Sequence, residues 1–226
     1  MLTPQQIKGL KYPDEFAIKF FFKENLHQRK GRVLELGCAN GNNLMLFFQF
    51  GWDCVGIDFD KQAVADAKHN LGQVPEPGAK FRIIHHDLRT GLPASLGRCD
   101  VLLLPSVLYY LPRMATVKCL EQAAGLIEPG GLFFLRMRSP RDYRYRRGRE
   151  VEHNGFVLDI SETGERDALN VFYHEYELVD MLRFKLAADP ATLRILLTDY
   201  ENLQNGVTVS NSDIIIWGKI GILKSS

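Results

Sequence analysis

The chemically most informative feature of this chain is an apolar strand that contains one acidic residue and runs into a turn of small residues. The stretch VLELGCANGNN places Glu35 in an apolar strand and follows it with Gly37, Ala39 and Gly41. A second apolar run ends in Asp58, 23 positions after Glu35. Glycine lets backbone approach a ligand closely, and an acid at the tip of the next strand can accept hydrogen bonds from both ribose hydroxyls. The spacing therefore predicts a site for a nucleoside cofactor.

The turn lacks the spacing of a dinucleotide site. A pyrophosphate-binding G-x-G-x-x-G pattern would need glycine where Ala39 and Asn42 stand. A nicotinamide oxidoreductase is therefore a distant alternative, and an ordinary strand-to-helix loop is the structural alternative.

Further motifs resemble those of the class I S-adenosylmethionine-dependent methyltransferases. The acid and glycine-rich turn resemble the family's first motif, VGIDFD the second and HHDL the third. CDVLLLPSVLYYLP and IEPGGLFFLRMRS resemble the fourth strand and the turn into the fifth. The resemblance covers roughly residues 12–139 and implies S-adenosyl-L-methionine as the cofactor.

The resemblance also implies roles for individual residues. The turn would contact the methionine part of the cofactor, Glu35 would hold its ammonium directly or through water, and Asp58 would bind the ribose. Phe59 would cover the adenine, Asp87 and the amide of Leu88 would contact its polar edge, and Tyr12 would close over the methionine end. The full expected cofactor set is Tyr12, Glu35, Gly37, Cys38, Ala39, Gly41, Asn42, Asn43, Asp58, Phe59, Asp87, Leu88, Pro105 and Ser106.

The pattern of apolar runs and amphipathic stretches predicts an α/β fold. We expect a doubly wound, mostly parallel open sheet of seven strands, Rossmann-like, with a terminal antiparallel hairpin. The predicted strands are residues 32–36, 54–58, 81–85, 101–104, 131–137, 192–200 and 213–220, and the predicted helices are 42–50, 61–71, 113–127 and 174–188.

Composition indicates one catalytic domain spanning residues 1–226. With 46% apolar residues the chain can bury a substantial core, and its net charge of +1 provides no overall field for nucleic acid or an anionic membrane. Four cysteines without metal-type spacing, and no signal or membrane segment, favour a cytoplasmic protein without a bound metal. The oligomeric state stays open.

Two segments lie outside the nucleotide-binding pattern. In residues 1–31, the helix-compatible spacing of Phe16, Phe20 and Phe21 predicts an N-terminal helical cap that packs these rings on the sheet. Residues 138–173 are interpreted as an inserted lid that selects the substrate. This insert opens with an arginine- and tyrosine-rich run and then turns acidic.

Three interpretations of the insert remain open. Arginine forks and tyrosines could bind an anionic small acceptor, form a phosphate-and-base surface for RNA, or simply pair with the acidic half of the insert. We favour the small acceptor because the basic run is short and the chain is neutral. The predicted substrate-binding residues are Tyr109, Arg138, Tyr143, Arg144 and Tyr145.

These patterns predict in-line transfer of a methyl group from S-adenosylmethionine to a small, anionic metabolite. The fourth strand lacks the Asn/Asp-Pro-Pro-aromatic run of amino-group methylases of nucleic acid bases. An RNA methyltransferase and a cofactor-binding protein without turnover are the alternatives. The general base is left unassigned among Tyr109, Tyr110, His153 and His174.

Overall fold

The computed structural model describes residues 3–75 and 78–221. Ten strands and five α-helices occur in these ranges. The strands are β1 (Arg32–Leu36), β2 (Asp53–Asp58), β3 (Phe81–His85), β4 (Cys99–Pro105), β5 (Ile127–Arg138), β6 (Gly148–Glu152), β7 (Gly155–Leu158), β8 (Leu169–Val171), β9 (Arg194–Gln204) and β10 (Val207–Lys219). The helices are α1 (Glu15–Lys23), α2 (Asn42–Gln49), α3 (Lys61–Gly72), α4 (Arg113–Ala124) and α5 (Glu175–Lys185).

Seven strands form one sheet in the order β3-β2-β1-β4-β5-β10-β9. The first five strands are parallel, and β10 pairs antiparallel with both β5 and β9. The strand order reverses between β1 and β4, so the loops that follow these two strands run in opposite directions along the sheet. Open α/β sheets bind ligands in the crevice between two such loops. The predicted doubly wound sheet with a terminal antiparallel hairpin is confirmed.

Helices cover both faces of this sheet. One buried cluster joins α1, α2 and α3 to the sheet through residues such as Phe20, Phe47 and Phe134, and a second joins α4 and α5 through Leu120 and Leu182. Phe16, Phe20 and Phe21 are all buried, so the aromatic stripe of α1 packs as predicted. The four cysteines are buried and unpaired.

The ends of several elements differ from the predictions. The fourth helix stops at Ala124 instead of residue 127, because Ile127 already belongs to β5. The hairpin strands are longer than predicted, since only Asn205 and Gly206 separate them. Both have positive φ, 47° and 81°, which suits a two-residue turn between twisted strands. Residues 201–204 and 207–212, which lie between the two predicted strands, therefore belong to β9 and β10.

The insert contains a small sheet that sequence analysis missed. Strands β6, β7 and β8 pair antiparallel in that order. Phe156, Leu158 and Phe172 form a separate buried cluster beneath them. The insert is thus folded on its own core beside the carboxyl end of β5. Within the described ranges, none of the helices combines the length and apolar character needed to traverse a lipid bilayer.

Candidate active site

The turn after β1 approaches its neighbours so closely that only glycine fits at its first position. Gly37 has φ of +69°, and an added Cβ would lie 2.3 Å from Val107 Cγ2. Ala39 also has positive φ, 45°. Its amide donates to Asp58 Oδ2 at 2.8 Å, which ties the turn to the end of β2. The two features identified from spacing are therefore in direct contact.

Glu35 is a buried acid with one unsatisfied oxygen. It is 1% exposed, and Oε1 accepts a hydrogen bond from Asn43 Nδ2 at 2.7 Å. Oε2 is buried and has no hydrogen-bond partner among the described residues. Burial raises the pKa of Glu35 to about 8, and the nearby charges of Asp58 and Asp14 add to this rise while Asn43 opposes it. A cation contacting Oε2 would satisfy this oxygen, so the residue fits the ammonium of a methionine-bearing cofactor.

Asp58 presents a fixed carboxylate at the tip of β2. Besides the Ala39 amide, it accepts from the amide of Asp60 at 2.9 Å and is 8% exposed. Two backbone donors therefore orient the group before any ligand arrives, and its remaining lone pairs can accept ribose hydroxyls. The ring of Phe59 beside it is 69% exposed and can cover a flat base.

The asparagines after the turn hold the N-terminal segment. Asn42 Nδ2 donates to the carbonyl of Tyr12 at 2.6 Å, and Asn43 Oδ1 accepts from the amide of Asp14 at 2.8 Å. Both side chains are therefore engaged within the chain, and their predicted contact with a cofactor stays a prediction. Tyr12 stands beside this turn with its side chain 72% exposed.

Asp87 caps the short helix that follows β3. It accepts from the amide of Arg89 at 2.9 Å and forms a 2.6 Å ion pair with the same residue's guanidinium. Hydrogen bonds from Arg89 lower the pKa of Asp87. Asp87 therefore caps this short helix in the ligand-free structure, and its contact with adenine stays a prediction. Leu88 is buried in the main core.

The segment after β4 lies between the turn after β1 and the start of the insert. Ser106 has a positive φ of 56°. Its amide donates to the carbonyl of Arg136 on β5, which pairs with Pro105 at the end of β4. Tyr109 follows and is 4% exposed. The guanidinium carbon of Arg138 lies 4.3 Å from the centre of the Tyr109 ring. The structure therefore brings two of the five predicted substrate residues together at the carboxyl ends of β4 and β5.

The other three predicted substrate residues make contacts within the insert, and Arg144 also donates to Asn211 on β10. Arg144 is 3% exposed and pairs with Asp142 at 3.1 Å and with Glu165. Tyr145 packs against the small core beneath the insert, and its hydroxyl donates to Asn154 at 2.8 Å. The Tyr143 hydroxyl donates to Glu162 at 2.6 Å. The contacts of Arg144 with Glu165 and of Tyr143 with Glu162 agree with the third interpretation of the insert, in which its basic and acidic halves pair.

Sequence analysis missed Glu165 as an organising residue. Its carboxylate accepts from Tyr110 at 2.6 Å and from Arg138 at 2.7 Å, and it also pairs with Arg144. Two arginines and a tyrosine hydroxyl thus converge on one acid, and the arginines lower its pKa against the effect of burial. A lone glutamate in a polar loop carries no sequence signal for such a role.

Four further residues form a second polar cluster that sequence analysis missed. Arg136 on β5 lies between the carboxylates of Asp14 and Asp213 and also donates to the hydroxyl of Tyr200. Asp14 was visible only as a helix cap, and the other three fall inside long strands. Across residues 3–75 and 78–221, no cluster of three or more His, Cys, Asp or Glu is arranged to hold a metal ion.

The comparisons with known proteins agree with this architecture. A family model described as a methyltransferase domain matches residues 13–179. No curated protein sequence matches the chain.

Solved structures share the fold at low sequence identity. An S-adenosylmethionine-dependent methyltransferase from Methanosarcina mazei is 18% identical with a TM-score of 0.63, covering 88% of this chain and 97% of that one. The 1,6-didemethyltoxoflavin N1-methyltransferase of Burkholderia thailandensis is 15% identical with a TM-score of 0.58, covering 92% and 77%. The N-methyltransferase NodS of Bradyrhizobium japonicum is 14% identical with a TM-score of 0.56, covering 91% and 86%.

The family match spans most of the chain and includes the turn after β1, Asp58 and the segment after β4. The seven-stranded sheet, with its reversed last strand, is the architecture shared with these solved enzymes. The chain therefore belongs to the methyltransferase-domain family and has the fold of the class I S-adenosylmethionine-dependent methyltransferases.

Proposed function

We propose that this methyltransferase moves a methyl group from S-adenosylmethionine to a small, anionic metabolite by in-line displacement. When bound, S-adenosylmethionine supplies an electrophilic methyl group on a sulfonium. The protein's own contribution is alignment, and holding reactants in an attack geometry is worth roughly 7–11 kcal/mol of barrier.

The cofactor end of the site rests on Glu35 and Asp58. Glu35 has a buried oxygen without a partner among the described residues, which suits the cofactor's ammonium. Asp58 is held by two backbone amides and offers its free lone pairs to the ribose. The backbone from Gly37 to Gly41 would lie against the methionine part, and Phe59 would cover the adenine. Pro105 and Ser106 would lie beneath the sulfonium.

The observation that carries the acceptor assignment is the placement of Arg138. Its guanidinium lies over the ring of Tyr109, and Nη1 binds Glu165 and Asn170. Nε and Nη2 make no hydrogen bond to a described residue, and Arg138 is 8% exposed. These two donors form one side of a planar fork that matches a carboxylate. A small anion stacked near Tyr109 would complete the arrangement.

The RNA alternative fits the structure less well. In residues 141–149, Arg146, Arg147 and Arg149 are exposed, but Arg144 in the middle of this run is 3% exposed and pairs with Asp142 and Glu165, which interrupts a phosphate track. Arg141 is half exposed and pairs with Asp199 at 3.2 Å. The solved relatives also include enzymes named for small acceptors, such as 1,6-didemethyltoxoflavin and magnesium protoporphyrin IX.

No strong general base stands out at the proposed acceptor site. The hydroxyl of Tyr110 donates to Glu165, and burial raises the pKa of Tyr110, so it holds its proton at neutral pH. An acceptor atom that is already nucleophilic at neutral pH would need only alignment by Tyr109 and Arg138.

The test is to incubate the protein with methyl-labelled S-adenosylmethionine and, separately, a small-metabolite extract and total RNA. We expect label in a small product that binds an anion-exchange resin, and loss of that product in Arg138→Gln with cofactor binding retained. Label in RNA would favour the alternative acceptor. Cofactor binding without labelled product from either pool would favour the non-catalytic alternative.

A further inference from the structure

Arg136 joins three separate parts of the chain inside the protein. Its Nη1 lies 2.5 Å from Asp14 Oδ2, at the start of α1, and its Nη2 lies 2.5 Å from Asp213 Oδ2 on β10. Nη2 also donates to the hydroxyl of Tyr200 on β9 at 3.0 Å. The three charged side chains are at most 13% exposed. This cluster lies outside the predicted cofactor and acceptor residues.

Burial makes this cluster sensitive to loss of one partner. Burial alone would lower the pKa of Arg136, but the carboxylates of Asp213 and Asp14 outweigh it and raise the value. Removing one member of a buried charge cluster leaves its partner without compensation. The contact between Arg136 and Asp14 is therefore a strong constraint on where the N-terminal segment lies.

Asp14 is also connected to the proposed ammonium site. Its backbone amide donates to Asn43 Oδ1, and Asn43 Nδ2 donates to Glu35 Oε1. Meanwhile Asp14 Oδ1 caps α1 through the amides of Phe16 and Ala17. One residue thus links Arg136, the first helix and the acid of the turn.

The segment before Asp14 runs against the turn, and we call residues 8–14 the strap. Asn40 Nδ2 donates to the carbonyls of Lys8 at 2.7 Å and Leu10 at 2.8 Å. Asn42 binds the carbonyl of Tyr12. Each of these contacts is a single uncharged hydrogen bond, which is weaker than a hydrogen bond between charged groups. The ion pair at Asp14 is the only charged anchor of the strap within the described residues.

We propose that Arg136 is a positioning residue that fastens the strap against the turn and thereby slows release of the cofactor's methionine end. Arg136 acts through Asp14 and Asn43 on Glu35 and touches neither reacting atom. The inference rests on the proposed placement of the cofactor ammonium at Glu35. Because Asp213 and Tyr200 hold the same guanidinium, the last two strands share in this fastening.

The test compares wild type with Asp14→Asn, using S-adenosylhomocysteine and 5′-methylthioadenosine as probes. Asparagine is nearly isosteric and caps helices as well as aspartate, so α1 is retained while the charge facing Arg136 is lost. We expect S-adenosylhomocysteine to dissociate about tenfold faster, within the range of coupling between protein sites. The affinity for 5′-methylthioadenosine, which lacks the amino acid end, should stay within about twofold of wild type, since the coupling acts at the methionine end only.

Two further variants complete the experiment. Arg136→Lys keeps a charge but cannot fork across two carboxylates, so it should shift dissociation in the same direction. Arg98→Met removes an exposed ion pair with Glu128 and should change neither ligand. Unchanged dissociation of S-adenosylhomocysteine in both site variants would overturn the inference, and so would equal weakening of both ligands. If wild type bound neither ligand, the proposed function itself would fail, which is a different result.

Discussion

The raised pKa of Glu35 makes the stability of the ligand-free protein depend on pH, and Glu35→Gln tests this. The rise from 4.5 to about 8 reflects burial first. At about 1.4 kcal/mol per pKa unit, ionising Glu35 inside the fold costs on the order of 5 kcal/mol. Glutamine keeps the shape and can still accept from Asn43, but it carries no proton to lose.

The folded and unfolded chains differ in the pH at which Glu35 releases its proton. Between pH 4.5 and about 8 the unfolded chain has released the proton of Glu35 while the folded chain keeps it. The free energy of unfolding therefore falls by about 1.4 kcal/mol per pH unit as pH rises through this window. Above the window it levels off. From about pH 6 to about pH 8.5 the loss from this residue amounts to roughly 2.5 kcal/mol.

The assay is urea unfolding of wild type and Glu35→Gln at several pH values. The difference in unfolding free energy, variant minus wild type, should grow by about 2.5 kcal/mol between the two ends of that range. Other titrating groups largely cancel in this difference. A difference that stays constant with pH would show that Glu35 is ionised in the ligand-free fold and would refute the reasoning.

Three other substitutions probe the remaining features. Asp58→Ala should weaken S-adenosylhomocysteine binding by about 2–3 kcal/mol in calorimetry, because a charged acceptor is lost, and wild-type affinity would contradict the ribose assignment. Gly37→Ala should abolish detectable binding, since its Cβ would lie 2.3 Å from Val107; a thermal shift by the ligand equal to wild type would contradict this. Glu165→Gln should lower the unfolding free energy by about 3 kcal/mol, as buried Arg144 loses a charged partner, and an unchanged denaturant midpoint would show that the acid is dispensable.

The fold could be predicted because its signals are local. A buried strand, a glycine-rich turn and an acid at the next strand tip each involve a few neighbouring residues, and β1 and β3 have the predicted bounds. The hairpin was predicted too short because Ser210 and Asn211 look like linker residues. They pair with β9 instead, and the two-residue Asn205-Gly206 turn was the overlooked signal.

The polar clusters could not be predicted because their members are far apart in the chain. Arg136 and Asp14 are separated by 122 positions, and their contact depends on β5 passing beside the start of α1. The arginines of the insert were visible as a charged run, but sequence does not reveal which of them a buried acid neutralises. In the structure, Glu165 pairs with both Arg138 and Arg144.

The placement of the cofactor is tested most directly by a crystal structure of the protein with S-adenosylhomocysteine. We predict that the ribose hydroxyls lie within hydrogen-bond distance of Asp58, that the amino group contacts Glu35 directly or through one water, and that the sulfur lies above Ser106. Ligand density elsewhere, or a ribose out of reach of Asp58, would contradict the account.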